Sequence, residues 1–234
     1  MKRIIYILSA ISSLVMFAGC EATSEDPSKI TYFVSFEIQG DQIMLVPVGT
    51  GFTDPGVVAL EGETDITSTV TASGSVDANE IGVYTITYSA ANLDGFSSSV
   101  SRTVLVYDPD VTADISGSYT VAAGSYRLTP GTGARVAFSD YGVTLTQRAP
   151  GIYYVSDFLG GYYDKRAGYG SAYAMTGYFK LNADNTIEPL SSYVQGWGDS
   201  MDEMTNGAYD GETGDVYWEI GYAGTMTFCI TLTK

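Results

Sequence analysis

Histidine is absent from all 234 residues. Without an imidazole the chain has neither a Ser-His-Asp triad nor a Cys-His nucleophile pair. Cysteine is nearly absent too, with only Cys20 and Cys229, so a Cys/His or multi-cysteine metal centre is excluded. Positive charge is scarce: 11 Lys and Arg stand against 27 Asp and Glu, a formal charge of −16. A surface of that sign repels nucleic acid, itself a polyanion, and repels anionic headgroups. Any membrane attachment must therefore come from a lipid. One long apolar run exists, residues 4–18. It is interrupted by Ser9, Ser12 and Ser13 and falls short of the roughly 20 residues that span a bilayer. No segment keeps a 3.6-residue period, which argues against helical layers.

That apolar run follows Lys2 and Arg3 and ends in Ala18-Gly19-Cys20. A basic start, a short apolar stretch and small residues before a cysteine form a secretory signal of the lipoprotein kind. Residues 1–19 are read as the signal peptide and Cys20 as the lipidated residue, with Phe17 where such signals usually carry Leu. Cleavage removes Lys2 and Arg3 and takes the formal charge from −16 to −18. Residues 20–29, with Glu21, Glu25 and Asp26, form a short acidic tether. Acidic residues after a lipidated cysteine resemble the surface-export signal of Bacteroidetes lipoproteins. A plain soluble linker explains the composition equally well.

Residues 30–108 read as a string of short strands: 30–39, 43–48, 57–60, 66–72, 83–90 and 99–106. They are separated by turn residues such as Asp54-Pro55-Gly56 and Asn92-Leu93-Asp94-Gly95. In 83–90, Tyr84, Ile86 and Tyr88 alternate with Val83, Thr85 and Thr87, the pattern of a half-buried strand. In 99–106, Val100, Arg102, Val104 and Val106 share a face. Six or seven such strands predict a small antiparallel sandwich. The early F-T-D-P-G turn, D-I-T, the G-x-Y-x-I-x-Y strand and the R-T-V-x-V ending resemble the immunoglobulin-like modules of Bacteroidetes surface lipoproteins. Such modules usually act as spacers.

Asp108-Pro109-Asp110 marks a boundary, and composition changes across it. Of the 19 tyrosines, 14 lie from Tyr119 onward, together with both tryptophans. Residues 109–234 are read as a second, tyrosine-rich all-β domain. Its predicted strands are 117–122, 135–138, 143–147, 152–155, 173–181, 186–190, 216–222 and 226–233, a number that predicts a β-barrel or a two-sheet sandwich. Cys229, in the alternating run 225–233, is read as a small buried apolar residue.

Two segments hold the candidate site. Residues 155–173, VSDFLGGYYDKRAGYGSAY, gather Tyr162, Tyr163, Asp164, Tyr169 and Tyr173 among four glycines. As a loop they present flat amphipathic rings suited to a glycan or an oligopeptide. Packed inside, the same rings close one end of the domain. Residues 193–204 carry Trp197 between two glycines, followed by Asp199, Asp202 and Glu203. They read either as a binding loop or as a short capped helix starting near Asp199 or Ser200. Residues 182–188 and 210–215 alternate oxygen-bearing side chains but lack the glycine and glutamate of an EF-hand loop. They are read as turns, and no metal or cofactor is expected. Many carboxylates are present, but none is singled out as a catalytic pair.

The stretches 157–164, 197–199 and 216–219 resemble the C-terminal domain of small Bacteroidetes lipoproteins similar to the accessory subunits of SusC/SusD-type outer-membrane importers. The resemblance implies a lipid-anchored protein of the outer membrane, facing the cell exterior beside a SusC/SusD-like transporter complex. There it would help capture or organise oligopeptide or glycan. It implies a non-enzyme. The alternatives are a purely structural docking subunit and a surface glycan hydrolase.

Overall fold

The computed structural model describes residues 30–129 and 131–234. The signal peptide, Cys20 and the tether lie outside the described residues. The fold is built from strands throughout: β1 (Val34–Ile38), β2 (Ile43–Pro47), β3 (Val57–Glu61), β4 (Thr64–Asp65), β5 (Thr71–Ser73), β6 (Gly82–Ala91), β7 (Ser97–Tyr107), β8 (Gly117–Val121), β9 (Tyr126–Leu128), β10 (Arg135–Ala137), β11 (Gly142–Ala149), β12 (Ile152–Val155), β13 (Met175–Leu181), β14 (Ile187–Val194), β15 (Glu203–Tyr209), β16 (Val216–Tyr222) and β17 (Met226–Thr233). The all-β expectation holds.

β1 to β7 form an Ig-like sandwich of two sheets, β1-β3-β4 and β2-β7-β6-β5. Between them lie Val46, Val57, Ile86, Tyr88, Val104 and Val106. The expected alternation is realised: Ile86 and Tyr88 point inward while Thr85 and Thr87 do not. Two expectations need correction. First, β2 pairs with β7 in parallel, so the module is not wholly antiparallel. Local patterning encodes which face of a strand is buried, not the direction of its partner. Second, 66–72 is not one strand. Thr67–Thr69 forms a single 3₁₀ turn before β5. Asp65 Oδ1 accepts from Thr67 N at 2.8 Å, and Thr67 Oγ1 accepts from Ala59 N at 3.0 Å. These side-chain bonds divert the backbone from the ladder.

One polar network ties together three of the motifs read from the sequence. Arg102, on the inward face of β7, is 0% exposed. Its Nη2 donates to Gln39 O at 2.6 Å and to Gly56 O at 3.0 Å. Its Nε lies 3.4 Å from Asp54 Oδ1 as an ion pair without hydrogen-bond geometry. The Tyr88 hydroxyl donates to the same Asp54 carboxylate at 2.6 Å. Burial, then this carboxylate, raise the Tyr88 pKa, so it remains a donor. The Asp54-Pro55-Gly56 turn, the β6 tyrosine and the β7 arginine thus form one unit.

The second domain is a single ten-stranded sheet folded over on itself. Its path runs β10-β9-β17-β8-β11-β12-β13-β14, with β16 on the other edge of β17 and β15 beyond it. Between β14 and β15 there is a lone bridge, Thr186 to Ala208, with Tyr209 N donating to Asn185 O at 2.9 Å. The architecture is therefore a sandwich and not a closed barrel. Inward positions alternate regularly in β13 and β16, placing Met175, Phe179 and Leu181 opposite Val216, Trp218 and Ile220. Trp218 is fully buried, and its Nε1 donates to Phe158 O at 2.9 Å. A buried indole otherwise leaves its N–H without a partner. Cys229 is a free, buried thiol, as expected.

Three strands escaped the sequence reading. β4 is only two residues long. β9 is only three residues long. β15 replaces the short helix entertained near Ser200. It is a polar strand at the edge of the sheet, laddered only to β16 apart from the single Thr186–Ala208 bridge, and bulged between Thr205 and Ala208, where Asn206 takes φ 54°. An edge strand buries little, so it lacks the apolar alternation that reveals a strand. The outer face of the Ig-like sheet meets the second domain at Leu105, packed with Ala149 and Ile152. That contact explains why three successive β7 residues, Val104, Leu105 and Val106, are all buried.

Candidate functional site

The loop after β12 is organised by a carboxylate that interacts with backbone. Asp157 is buried and accepts three N–H groups: Leu159 (2.9 Å) and Met175 (3.0 Å) on Oδ1, Gly161 (2.8 Å) on Oδ2. Burial raises its pKa to about 6, against the opposing pull of those three donors. Gly160 and Gly161 follow with φ of 62° and 76°. A Cβ at Gly161 would sit 2.8 Å from Tyr141 Cβ, so neither backbone nor packing admits another residue. The chain then makes one π turn, Tyr162–Arg166, and a 3₁₀ turn, Ser171–Tyr173.

The predicted residues separate here. Tyr162 is 5% exposed, edge-on to Phe138 and Phe228 at 5.2 Å. The guanidinium carbons of Arg127 and Arg166 each lie 5.1 Å from its ring centre. Tyr162 is a packing residue and presents no free ring. Its place among ligand contacts is corrected: the double glycine turns it into the sandwich. Asp164 is half-buried and held by Lys165 Nζ at 2.8 Å, so its carboxylate is already paired. Tyr163 is 8% exposed, yet its ring reaches the surface cluster. Tyr169, at 56%, is exposed, and Tyr173 is half-buried.

Trp197, 41% exposed, reaches this cluster from the second candidate segment. Its turn is closed by Val194 N to Asp199 O at 2.8 Å and Gly198 N to Val194 O at 2.8 Å. Gly196 N donates to Ala172 O at 2.7 Å, joining the two segments directly. A Cβ on Gly196 would come within 2.6 Å of the Tyr173 ring, so the glycine lets that ring close against Trp197. Ring centres of Tyr163 and Tyr173 stand 4.7 and 4.8 Å from Trp197, and Tyr169 stands 5.4 Å from Tyr173. The geometries are mostly edge-to-face, the favourable arrangement for aromatic quadrupoles.

Sequence reasoning missed Tyr222 and Met226, which flank the β16–β17 turn. The Tyr222 ring lies 6.2 Å from Trp197, and its hydroxyl donates to Asp199 Oδ1 at 2.8 Å and Oδ2 at 3.0 Å. Burial, then the Asp199 carboxylate, push its pKa up, which fixes it as donor. Strand alternation in β16 puts Tyr222 on the inward face. Its position at the strand's last residue was the unused signal, because an inward tyrosine at a strand end puts its hydroxyl at the rim. Ala223, next to it, holds φ 52°, an uncommon left-handed conformation for a non-glycine residue. Tyr163, Trp197, Asp199, Tyr222, Ala223 and Met226 together line an open hollow of about 240 Å³. It is chemically a stacking and apolar-contact site with one carboxylate at its edge. Among the described residues no group of three or more Asp, Glu or Cys side chains is arranged to hold a metal ion.

Comparison with known proteins follows the same division of the chain. A family model described as "-like, C-terminal domain" matches residues 108–234, and the model of a bacterial surface protein Ig-like domain matches residues 36–106. The crystal structure of the lipoprotein BT2262 from Bacteroides thetaiotaomicron is 50% identical to this chain, over 86% of it and 100% of the other, with a TM-score of 0.49. Two Clostridium perfringens ZmpB structures are more distant. CBM51-2 in complex with GlcNAc and INT domains is 19% identical, covering 52% of this chain and 31% of that one, with a TM-score of 0.29. The M60 catalytic domain with CBM51-1 and CBM51-2 is 20% identical, covering 51% and 14%, with a TM-score of 0.26. Neither carries any argument about this protein. No curated protein matches the chain.

Proposed function

We propose a function for a chain that belongs to the family of the Bacteroides thetaiotaomicron lipoprotein BT2262, with a bacterial-surface Ig-like domain preceding its C-terminal domain. The protein acts as a lipid-anchored accessory subunit of a SusC/SusD-type outer-membrane importer, exposed to the cell exterior and anchored through acylated Cys20. Its second domain helps capture or organise oligopeptide or glycan for the transporter. The observation that carries this reading is the half-exposed cluster of Tyr169, Tyr173 and Trp197, seated on buried β scaffold at one place in the domain. Rigid aromatic side chains held in place lose little entropy on binding. The role is binding and not catalysis, in keeping with a chain that has no histidine to activate a nucleophile.

Co-purification tests the proposal. The lipidated protein is pulled from solubilised outer membranes and its companions are identified. Recovery of a SusC/SusD-like pair is the expected result, and recovery of the protein alone overturns the subunit role. A docking subunit without substrate contact is the second reading, favoured by the burial of Tyr162 and Tyr163. It predicts that Trp197→Ala abolishes transporter recovery, whereas the capture reading predicts recovery unchanged.

A further inference from the structure

The aromatic hollow is one end of a longer surface track. It shares Tyr222 and Met226 with a second hollow of about 310 Å³, whose lining adds Asp202 and Glu203. That second hollow shares Asp202 and Glu203 with a third of about 380 Å³, floored by residues 189–192 and 200–201. The sequence of surfaces is therefore aromatic, acidic, then mixed polar and apolar. A continuous track with alternating character fits an extended chain whose side chains differ along its length.

Charge selects among such chains. Asp199, Asp202 and Glu203 border the first two hollows, and among the described residues no Lys or Arg forms an ion pair with any of them. Asp199 accepts from Tyr222 and Asp202 accepts from Gly224 N at 2.6 Å, so both carboxylates are held in place by uncharged donors. The nearby cations have partners other than these carboxylates: Arg166 lies on the Tyr162 ring, Lys165 on Asp164, and Arg127 lies on the Tyr162 ring while its Nη1 donates to Met226 Sδ of the hollow's lining at 3.8 Å. The aromatic hollow itself offers ring faces and a thioether, with Asp199 its single charged group. A saccharide needs polar partners for most of its hydroxyls, and this lining supplies few. An apolar or aromatic side chain needs none. An ammonium or guanidinium next to it gains from both the carboxylates and the ring faces.

We infer that the Trp197–Tyr222 hollow and the adjoining Asp202–Glu203 hollow form one binding track for an extended peptide that places an apolar or aromatic residue beside a basic one. This rests on the proposed capture role and deepens it by choosing peptide over glycan. It does not depend on which transporter is the partner.

The test uses the full-length chain in detergent and three probes: acetylated, amidated Phe-Lys-Lys, the same peptide as Phe-Glu-Glu, and cellohexaose. Binding is followed by calorimetry and by fluorescence, with Trp218 buried and Trp197 at the surface. The Lys peptide is expected to bind at least about tenfold more tightly than the Glu peptide, with the preference shrinking as salt rises. Trp197→Ala should remove the fluorescence response. Asp202→Asn with Glu203→Gln should bring the two peptides to within about threefold of each other. Those amides keep the Asp202 acceptor for Gly224 N, and an unchanged thermal transition confirms folding. Equal binding of both peptides, binding of cellohexaose alone, or no binding of any probe overturns the inference. Recovery of a SusC/SusD-like pair from membranes alongside such a failure sinks only the peptide track. Peptide binding without transporter recovery sinks only the importer role.

Discussion

The two halves of the described chain each use one aspartate to hold a loop, partly exposed in the first and buried in the second, and they do it differently. In the Ig-like module Asp54 is held by a fully buried arginine and a tyrosine hydroxyl. In the second domain Asp157 is held by three backbone N–H groups and no cation. The first arrangement contains a charge that has meaning only while its partner stays. The second contains a charge that the fold can neutralise with a proton. Removing Asp54 strands a cation in the core, whereas removing the charge of Asp157 strands at most a dipole.

The largest expected effect is therefore Asp54→Ala. It leaves Arg102 buried without a counter-charge, though still donating to Gln39 O and Gly56 O, and should cost the Ig-like module about 3–5 kcal/mol. Differential scanning calorimetry should show an early transition from that module alone. A single unchanged transition would mean that Arg102 reaches solvent.

Next comes pH. The Asp157 pKa is raised from 3.8 to about 6 by burial. The folded state thus holds this proton more tightly than the unfolded chain. The stability it contributes is complete below about pH 4 and is lost as pH rises through about 6, a total of about 3 kcal/mol. Urea unfolding of the wild type and Asp157→Asn across this interval isolates the effect, because the amide does not titrate. A difference between them that does not change with pH would refute the assignment.

Asp157→Asn also has its own cost at neutral pH. The amide oxygen can keep Leu159 and Met175 as donors, but the amide N–H₂ then faces Gly161 N. One buried donor left unsatisfied costs about 1–3 kcal/mol. Hydrogen exchange at Gly161 should accelerate more than at Leu159 or Met175.

The smallest effect is expected at Gly196→Ala. Its Cβ pushes on the Tyr173 ring, which lies at the surface and can turn away. Stability should fall by less than about 1 kcal/mol, while Trp197 fluorescence changes as its ring partner leaves. Unaltered fluorescence would mean that the rings are not in contact in solution.

Much of this architecture was legible in the chain. Alternation in 83–90 and 99–106 announced half-buried strands with the inward residues Ile86, Tyr88, Val104 and Val106, because a period of two follows directly from strand geometry. The shift from an Ig-like stretch to a tyrosine-rich one was legible as composition. The edge strand β15 was not legible, since a strand that buries little carries no pattern. Nor was the parallel partner of β2, which depends on where the other sheet lies. Of the candidate residues, Tyr169, Tyr173 and Trp197 form the exposed cluster, while Tyr162 and Asp164 are occupied in packing and an ion pair.

What the sequence determined alone was the class of the protein: all-β, acidic, without histidine, its rings concentrated in one half. Those follow from composition and short-range periodicity, which each residue carries with it. Which rings face solvent was decided only by the tertiary structure. Two left-handed glycines and a buried carboxylate turn Tyr162 inward, and a 2.7 Å backbone bond from Gly196 to Ala172 brings Trp197 to Tyr173. Exposure is a property of what packs against a side chain, and here the packing partners lie up to 66 residues away, as Phe228 does from Tyr162.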